Sequence, residues 1–274
     1  MATQFSPVYG PVTSWRYGRS LGIDPIGPIS TCSFNCVYCQ LGAIEQLSHE
    51  RQVFLLVDEI KSALKDFTPW EVDVITLSGS GEPTLALNLG EILEMVKTLT
   101  HRPVTVLTNG TLLHDPNVCR DLEMADRVAI KIDAVSTGVF QRINRPLYEE
   151  HPFQIWEGIA QLKQTYQGHL AIQTMVLTEW SDPEQVDYIH LIQQICPHEI
   201  QLNTPNRPRP LTHQLDARGN HTPDTRPYPV QQLRTVNPAF LKTFGDRIHD
   251  ATGIPVRYAP IATSPLSIAG AISS

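Results

Sequence analysis

The chain has 274 residues and a formal net charge of −7, from 21 Lys and Arg against 28 Asp and Glu. That length suffices for one barrel-sized domain or two smaller ones, and the acidic balance excludes a blanket attraction to nucleic acid or to anionic membrane. No stretch approaches the ~20 apolar residues of a membrane span, and the start, Met1-Ala2-Thr3-Gln4-Phe5-Ser6-Pro7, lacks a basic region followed by an apolar run, so a cytoplasmic protein without a secretory signal is expected.

Residues 8–30 are rich in Gly and Pro and read as an irregular entry followed by a short strand near 20–25. Arg16 and Arg19 lie there as candidate anion binders, against the plainer reading of solvated or locally paired arginines. Residues 55–67 place Leu56, Val57, Ile60, Ala63, Leu64 and Phe67 at helical spacing. The β-branched run Val72–Leu77 predicts a strand that leads into Ser78-Gly79-Ser80-Gly81-Glu82-Pro83. Leu89, Ile92, Leu93, Val96 and Leu99 mark the next helix, and Val104–Leu107 a strand ending in Thr108-Asn109-Gly110. Asp115-Pro116 is an N-cap followed by proline at the first helical position. Further strands are expected over Arg127–Ala134, His169–Leu177 and Glu199–Asn203, and further helices over 153–166 and from Asp182-Pro183-Glu184 onward.

About six strand–helix units of this kind imply a parallel sheet with helical cover. Periodicity alone fits a partial barrel and an open doubly wound sheet equally. Residues 204–229 break the pattern with six prolines and with Arg207, Arg209, Arg218 and Arg226. They read as a partly ordered lid or as a mobile connector. Asn237-Pro238 then opens a helix that stops near Gly253, Pro255–Tyr258 reads as a short strand, and the tail 262–274 is expected to fray.

Chemistry concentrates in Cys32-Ser33-Phe34-Asn35-Cys36-Val37-Tyr38-Cys39, which holds three of the five cysteines. Thiolates this close suit iron or zinc. A structural zinc site wants a fourth Cys or His, for which His49 is a candidate; three thiolates without a fourth suit a four-iron cluster with one iron open. Cys119 and Cys196 lie in or beside amphipathic helices and read as ordinary free cysteines. Ala129, Lys131 and Asp133 share one face of the fourth predicted strand, where a Lys and an Asp are costly to bury unless paired or used.

With Cys32, Cys36, Tyr38 and Cys39 in the pattern Cys-x3-Cys-x-aromatic-Cys, the chain resembles the radical S-adenosylmethionine (SAM) superfamily. Glu82-Pro83, after Gly81 at a strand end, is similar to that superfamily's Gly-Glu-Pro motif. The resemblance implies an α/β fold, a partial (β/α)6 TIM-like barrel over 1–204, with a C-terminal extension over 205–274 (lid, helix and tail) packed on the same domain. It implies that Cys32, Cys36 and Cys39 ligate a [4Fe-4S] cluster whose fourth iron takes the amino and carboxylate groups of SAM. One-electron reduction then releases a 5′-deoxyadenosyl radical that abstracts hydrogen from a substrate.

In the same resemblance Tyr38 packs near the adenine, and Ser78, Gly79, Gly81, Glu82 and Pro83 form the loop that binds the amino group. Glu82 either accepts from the ammonium or braces that loop. Asn109 lies at the barrel mouth to touch SAM or the substrate, Lys131 holds the SAM carboxylate and Asp133 a ribose hydroxyl. The expected electron donor is of the flavodoxin or ferredoxin type. The segments Tyr17–Asp24, Thr108–Gly110 and Gln201–Pro205 look like a less characterised branch of the wyosine-type tRNA-modifying synthetases. Those enzymes carry three additional N-terminal cysteines, and this chain has none before Cys32. Two alternatives stand beside a radical enzyme with an unidentified substrate. One is RNA base modification with Arg207 and Arg209 on phosphate; the other is a non-enzymatic zinc-binding scaffold.

Overall fold

A computed structural model describes residues 5–148, 151–219 and 226–259; the predicted fraying tail lies outside them. The main strands are β1 Val8–Ser14, β2 Gly18–Ile23, β3 Val74–Leu77, β4 Val104–Thr108, β5 Arg127–Lys131, β6 His169–Met175, β7 Glu199–Asn203 and β8 Val256–Tyr258. They form one eight-stranded sheet in the order in which they are numbered. β1 pairs antiparallel to β2, and every other neighbouring pair is parallel. The sheet curls into a half-barrel, the partial α/β barrel that the strand–helix alternation allows.

The helices are α1 Val57–Lys65, α2 Leu89–Thr100, α3 Pro116–Leu122, α4 Thr137–Asn144, α5 Pro152–Leu162, α6 Asp182–Ile195 and α7 Pro238–Thr252. Their apolar stripes are the ones that helical spacing marks: Ile60 and Leu64 on α1, Ile92, Leu93 and Val96 on α2, and Ile189, Ile192 and Ile195 on α6 are buried in the common core. Caps set the starts. Asp115 accepts from the Asn117 N–H at 2.9 Å, and Asn237 accepts from the Ala239 N–H at 2.9 Å. Ser181 donates to Glu184 from both N–H and Oγ, at 2.8 and 2.7 Å. Between α6 and α7 the core is aromatic, with Trp180, Tyr188 and Phe244 ring centroids 5.3 to 5.6 Å apart.

Four elements differ from the sequence reading. The irregular entry contains β1, whose pairing is interrupted by a bulge between Tyr9 and Val12. Gly10, at φ +107°, supplies the backbone conformation that this bulge needs. The fourth predicted strand ends at Lys131, so Asp133 lies in the loop beyond it. Helix α4 follows that loop without an apolar stripe to announce it, since Phe140 is its one buried apolar side chain. The short strand near the C-terminus is a seventh parallel strand, β8, paired with β7.

The gap between the sheet's two edges is crossed by a side chain rather than by a ladder. Arg257 on β8 donates to the carbonyls of Arg16 and Trp15 in the β1–β2 turn, at 2.8 and 2.9 Å. Inside the curl the strands present polar groups. Ser20 Oγ and Thr76 Oγ1 are 2.7 Å apart, and Gln173 Nε2 donates to Gln201 Oε1 at 2.8 Å.

Candidate functional site

The three clustered cysteines line one cavity of about 430 Å³ at the carboxyl ends of the parallel strands. Its volume falls in the ~300–1,000 Å³ range of small-molecule sites, and that end is where parallel α/β folds place their ligands.

The cysteine loop is held at both ends. Thr31–Cys32 pairs with Gln46–Leu47, and Cys39 N–H closes a turn onto the Cys36 carbonyl at 3.1 Å. The end of α4 forms its floor: Asn35 N–H donates to the carbonyls of Asn144 and Arg145, each at 3.1 Å, and Val37 N–H to that of Ile143 at 2.9 Å. The Phe34 ring meets Phe140 edge-on at 5.4 Å. Donors then converge on the sulfurs. Cys36 Sγ receives Lys131 Nζ at 3.5 Å and Asn144 Nδ2 at 3.6 Å; Cys32 Sγ receives Asn109 Nδ2 at 3.6 Å and Phe34 N–H at 3.4 Å. Burial pushes the Cys32 thiol up, and the Glu82 charge adds to it; burial and the neighbouring Cys36 push Cys39 up. Burial alone would lower the Lys131 ammonium, but Cys36 and then Asp133 raise it, so it stays cationic.

Lys131 also lies over the Tyr38 ring, 4.9 Å from its centroid. Tyr38 donates to Asp133, whose carboxylate further accepts from Asn144 Nδ2 at 2.7 Å and from the Met175 N–H at 2.9 Å. Burial, then the Asp133 charge, raises the Tyr38 phenol well above its ordinary value.

The Ser78–Pro83 loop forms the adjoining wall. Ser78, Gly79, Gly81 and Glu82 line the cavity, whereas Pro83 turns away into a short 3-10 helix. Gly81 can only be glycine, since a Cβ there would lie 1.6 Å from the Thr31 carbonyl oxygen. Of the two roles open to Glu82, the contacts describe the brace. One carboxylate oxygen accepts from Thr84 N–H at 3.1 Å, Thr84 Oγ1 at 2.7 Å and Thr108 Oγ1 at 2.6 Å; the other accepts from Asn109 N–H at 2.7 Å. The group ties the end of β3 to the end of β4 and is 3% exposed.

Two residues of the site escape sequence reasoning, one on the cavity wall and one behind it. Tyr9 enters from β1, packs its ring over Gly22 and shares a 2.9 Å hydrogen bond with Ser78. Burial pushes its phenol up to about 12, against the Ser78 hydrogen bond. Asn144 arrives with α4 and stands behind the wall, its amide on Cys36 and Asp133. Either would have needed a prediction of β1 or α4 to be found. The Pro-rich segment adds Pro205, Asn206, Arg207 and Arg218 to the wall. Arg218 forms a buried ion pair with Asp24 at 2.7 Å and stacks on the Tyr9 and Phe5 rings, 4.8 and 5.1 Å from their centroids. The same Asp24 oxygen accepts from Ser80 N–H at 2.8 Å and Ser80 Oγ at 2.5 Å. Arg209 does not line the cavity; its charge instead favours the Cys39 thiolate. His49 stacks on Tyr148 at 5.1 Å and is not among the lining residues. Cys119 is buried against the Leu113 carbonyl at 3.2 Å, Cys196 is exposed, and neither reaches the cavity.

Three cysteines with no fourth Cys or His beside them among the described residues, in a cavity wide enough for a further ligand, fit a four-iron cluster with one open iron better than a closed zinc site. The glycine loop beside it lets the main chain approach that ligand.

Comparison with known proteins agrees. The family model described as Radical SAM superfamily matches residues 26–192. The UPF0026 protein slr1464 of Synechocystis sp. is 54% identical over 264 residues, covering 95% of this chain and 99% of that protein. Among solved structures, Streptococcus suis SuiB bound to S-adenosylmethionine superposes with a TM-score of 0.60 at 11% identity, over 86% of this chain and 49% of SuiB. Native anSMEcpe with bound AdoMet gives a TM-score of 0.58 at 17% identity, over 87% of this chain and 63% of that one. At these identities the two structures speak to the fold alone.

Proposed function

The chain belongs to the radical SAM superfamily, and from that premise we propose that Cys32, Cys36 and Cys39 hold the cluster and that the surrounding cavity seats SAM and a substrate together. Membership makes the protein an enzyme that uses a [4Fe-4S] cluster, SAM and a reductant. The observation that carries the residue assignment is the convergence of three thiols, Lys131 and the Gly79–Gly81 backbone on one cavity. When bound, the cluster and SAM supply one-electron cleavage to a 5′-deoxyadenosyl radical.

The chain's own residues hold, orient and seal. Lys131 balances thiolate charge at Cys36 and is placed to take the SAM carboxylate. Asp133, fixed by three donors, is placed for a ribose hydroxyl, and Tyr38 for the adenine. Ser78, Gly79 and Gly81 give backbone contacts to the amino group, Pro83 starts the turn behind them, and Asn109 presents its amide beside Cys32. Glu82 fixes the loop rather than receiving the ammonium. The Pro-rich segment, on this reading, is a lid that excludes water from the radical step. The reductant is of the flavodoxin or ferredoxin type, and the setting is the cytoplasm.

The test is anaerobic reconstitution with iron and sulfide, reduction in the presence of SAM, and assay for 5′-deoxyadenosine. Product from the wild type that is lost in Cys36→Ala is expected. Zinc bound without iron or acid-labile sulfide would replace the enzyme by the scaffold alternative.

The likeness to wyosine-type synthetases supports a second reading, modification of an RNA base, and Arg207 on the cavity wall favours it. Such binding would be strong at low salt and lost at high salt. Absence of RNA binding at low salt ends that reading and leaves the radical chemistry standing.

A further inference from the structure

The cavity holds four cationic side chains, Arg16, Lys131, Arg207 and Arg218. Lys131 faces thiols and Asp133, and Arg218 is paired with Asp24. Arg207 is held by the Gln40 side-chain oxygen at 3.2 Å and the Gly219 carbonyl at 3.4 Å, among other contacts. Arg16 differs from all three. Its guanidinium stacks on Trp15, 5.1 Å from the ring centroid, and its Nε is buried with no hydrogen-bond partner. No carboxylate forms an ion pair with it among the described residues, and the charges that act on it are the guanidinium groups of Arg207 and Arg257 and the Tyr17 hydroxyl. Burial, and then the two neighbouring arginines, pulls it below the ordinary arginine value, against Tyr17.

Arg16 is half-buried, and burying its Nε without an acceptor is costly. The turn that carries it is fixed in place, because Arg257 clamps the Trp15 and Arg16 carbonyls and Tyr17 OH reaches Gln201 Oε1 at 3.5 Å. The side chain is thus presented on a rigid support, with part of its fork unused, inside a cavity whose two carboxylates, Glu82 and Asp133, are held by hydrogen bonds to other groups. Guanidinium groups so placed suit planar or tetrahedral oxyanions.

We propose that Arg16 anchors an anion subsite in this cavity, distinct from the SAM contacts, and that the substrate carries a carboxylate or phosphoryl group that docks there. This rests on the radical SAM reading only for what occupies the rest of the cavity. Arg19, its neighbour in the sequence, is exposed on β2 and belongs to no such site.

The test titrates inorganic phosphate and, separately, succinate into the reconstituted holoprotein with saturating SAM, at low chloride, by calorimetry. At least one probe binds the wild type, and which one binds tells phosphoryl from carboxylate. Arg16→Gln weakens that binding by about tenfold or more, the loss expected for one hydrogen-bonded charge. Arg16→Lys, which keeps the charge without the fork, falls between, and Arg19→Gln binds as the wild type does. The proposal is overturned if neither probe binds, if Arg16→Gln binds equally well, or if SAM abolishes binding, which would make Arg16 a ligand of the SAM carboxylate. Because the titration runs equally on protein without a cluster, a failure to form 5′-deoxyadenosine counts against the radical reading and leaves the subsite to its own result.

Discussion

Asn144 divides one amide between two partners, donating to Cys36 Sγ and to the Asp133 carboxylate. Its removal leaves a buried thiolate and a buried carboxylate each short of a donor. Asn144→Ala is therefore expected to cost about 1–3 kcal/mol of stability and to lower the iron retained per chain after reconstitution. Urea unfolding and iron analysis check the two effects separately. Residues of this kind are where the sequence says least. The cysteines were legible because their spacing is local, and the glycine loop because it follows a β-branched strand. Asn144 and Tyr9 reach the site through elements whose own signals are weak. The first sits at the end of a helix with one buried apolar side chain, the second on a strand whose Gly10-Pro11 bulge reads as a turn.

At the scale of elements, the helices with both a cap and an apolar stripe could be placed from the sequence, whereas the Pro-rich segment could not. Its residues 204–219 are held by contacts far away in the chain. Gln214 N–H donates to the Leu41 carbonyl at 2.8 Å, and His213 Nδ1 lies 3.0 Å from Glu45. Burial, outweighing the Glu45 and Asp24 carboxylates and aided by Arg218, depresses the His213 imidazole. A histidine depressed on folding contributes stability that is present above its unfolded pKa, near 6.5, and lost as the pH falls toward the folded value. Limited proteolysis between Pro205 and Gly219 should accordingly quicken as the pH drops below about 6.5. His213→Gln, which cannot titrate, should flatten that profile; an unchanged profile would assign the effect to another group.

For the molecule as a whole, alternating strands and helices announced a parallel sheet but left its curl undecided. Closure depends on the pairing of residues some 240 positions apart, between Arg257 and the Trp15–Arg16 turn, and no local pattern encodes that. Arg257→Ala should remove both hydrogen bonds and free the two carbonyls. We expect a loss of about 1.5–3 kcal/mol, read as a lower calorimetric Tm. Arg257→Lys, with a single donor centre in place of a fork, should recover only part of it. A wild-type Tm in Arg257→Ala would mean that ladder pairing alone holds the curl.

The Asp24 carboxylate that pairs with Arg218 is also the acceptor for Ser80. Parting the Pro-rich segment from the barrel would strand a buried anion against the glycine loop, so the two should open as one unit. Hydrogen exchange gives that coupling a number. The Ser80 amide and the amides of Gln214 and Ala217 should share one opening free energy and one denaturant dependence. Asp24→Asn should speed all three together, even though Ser80 and Ala217 are 137 positions apart in the chain.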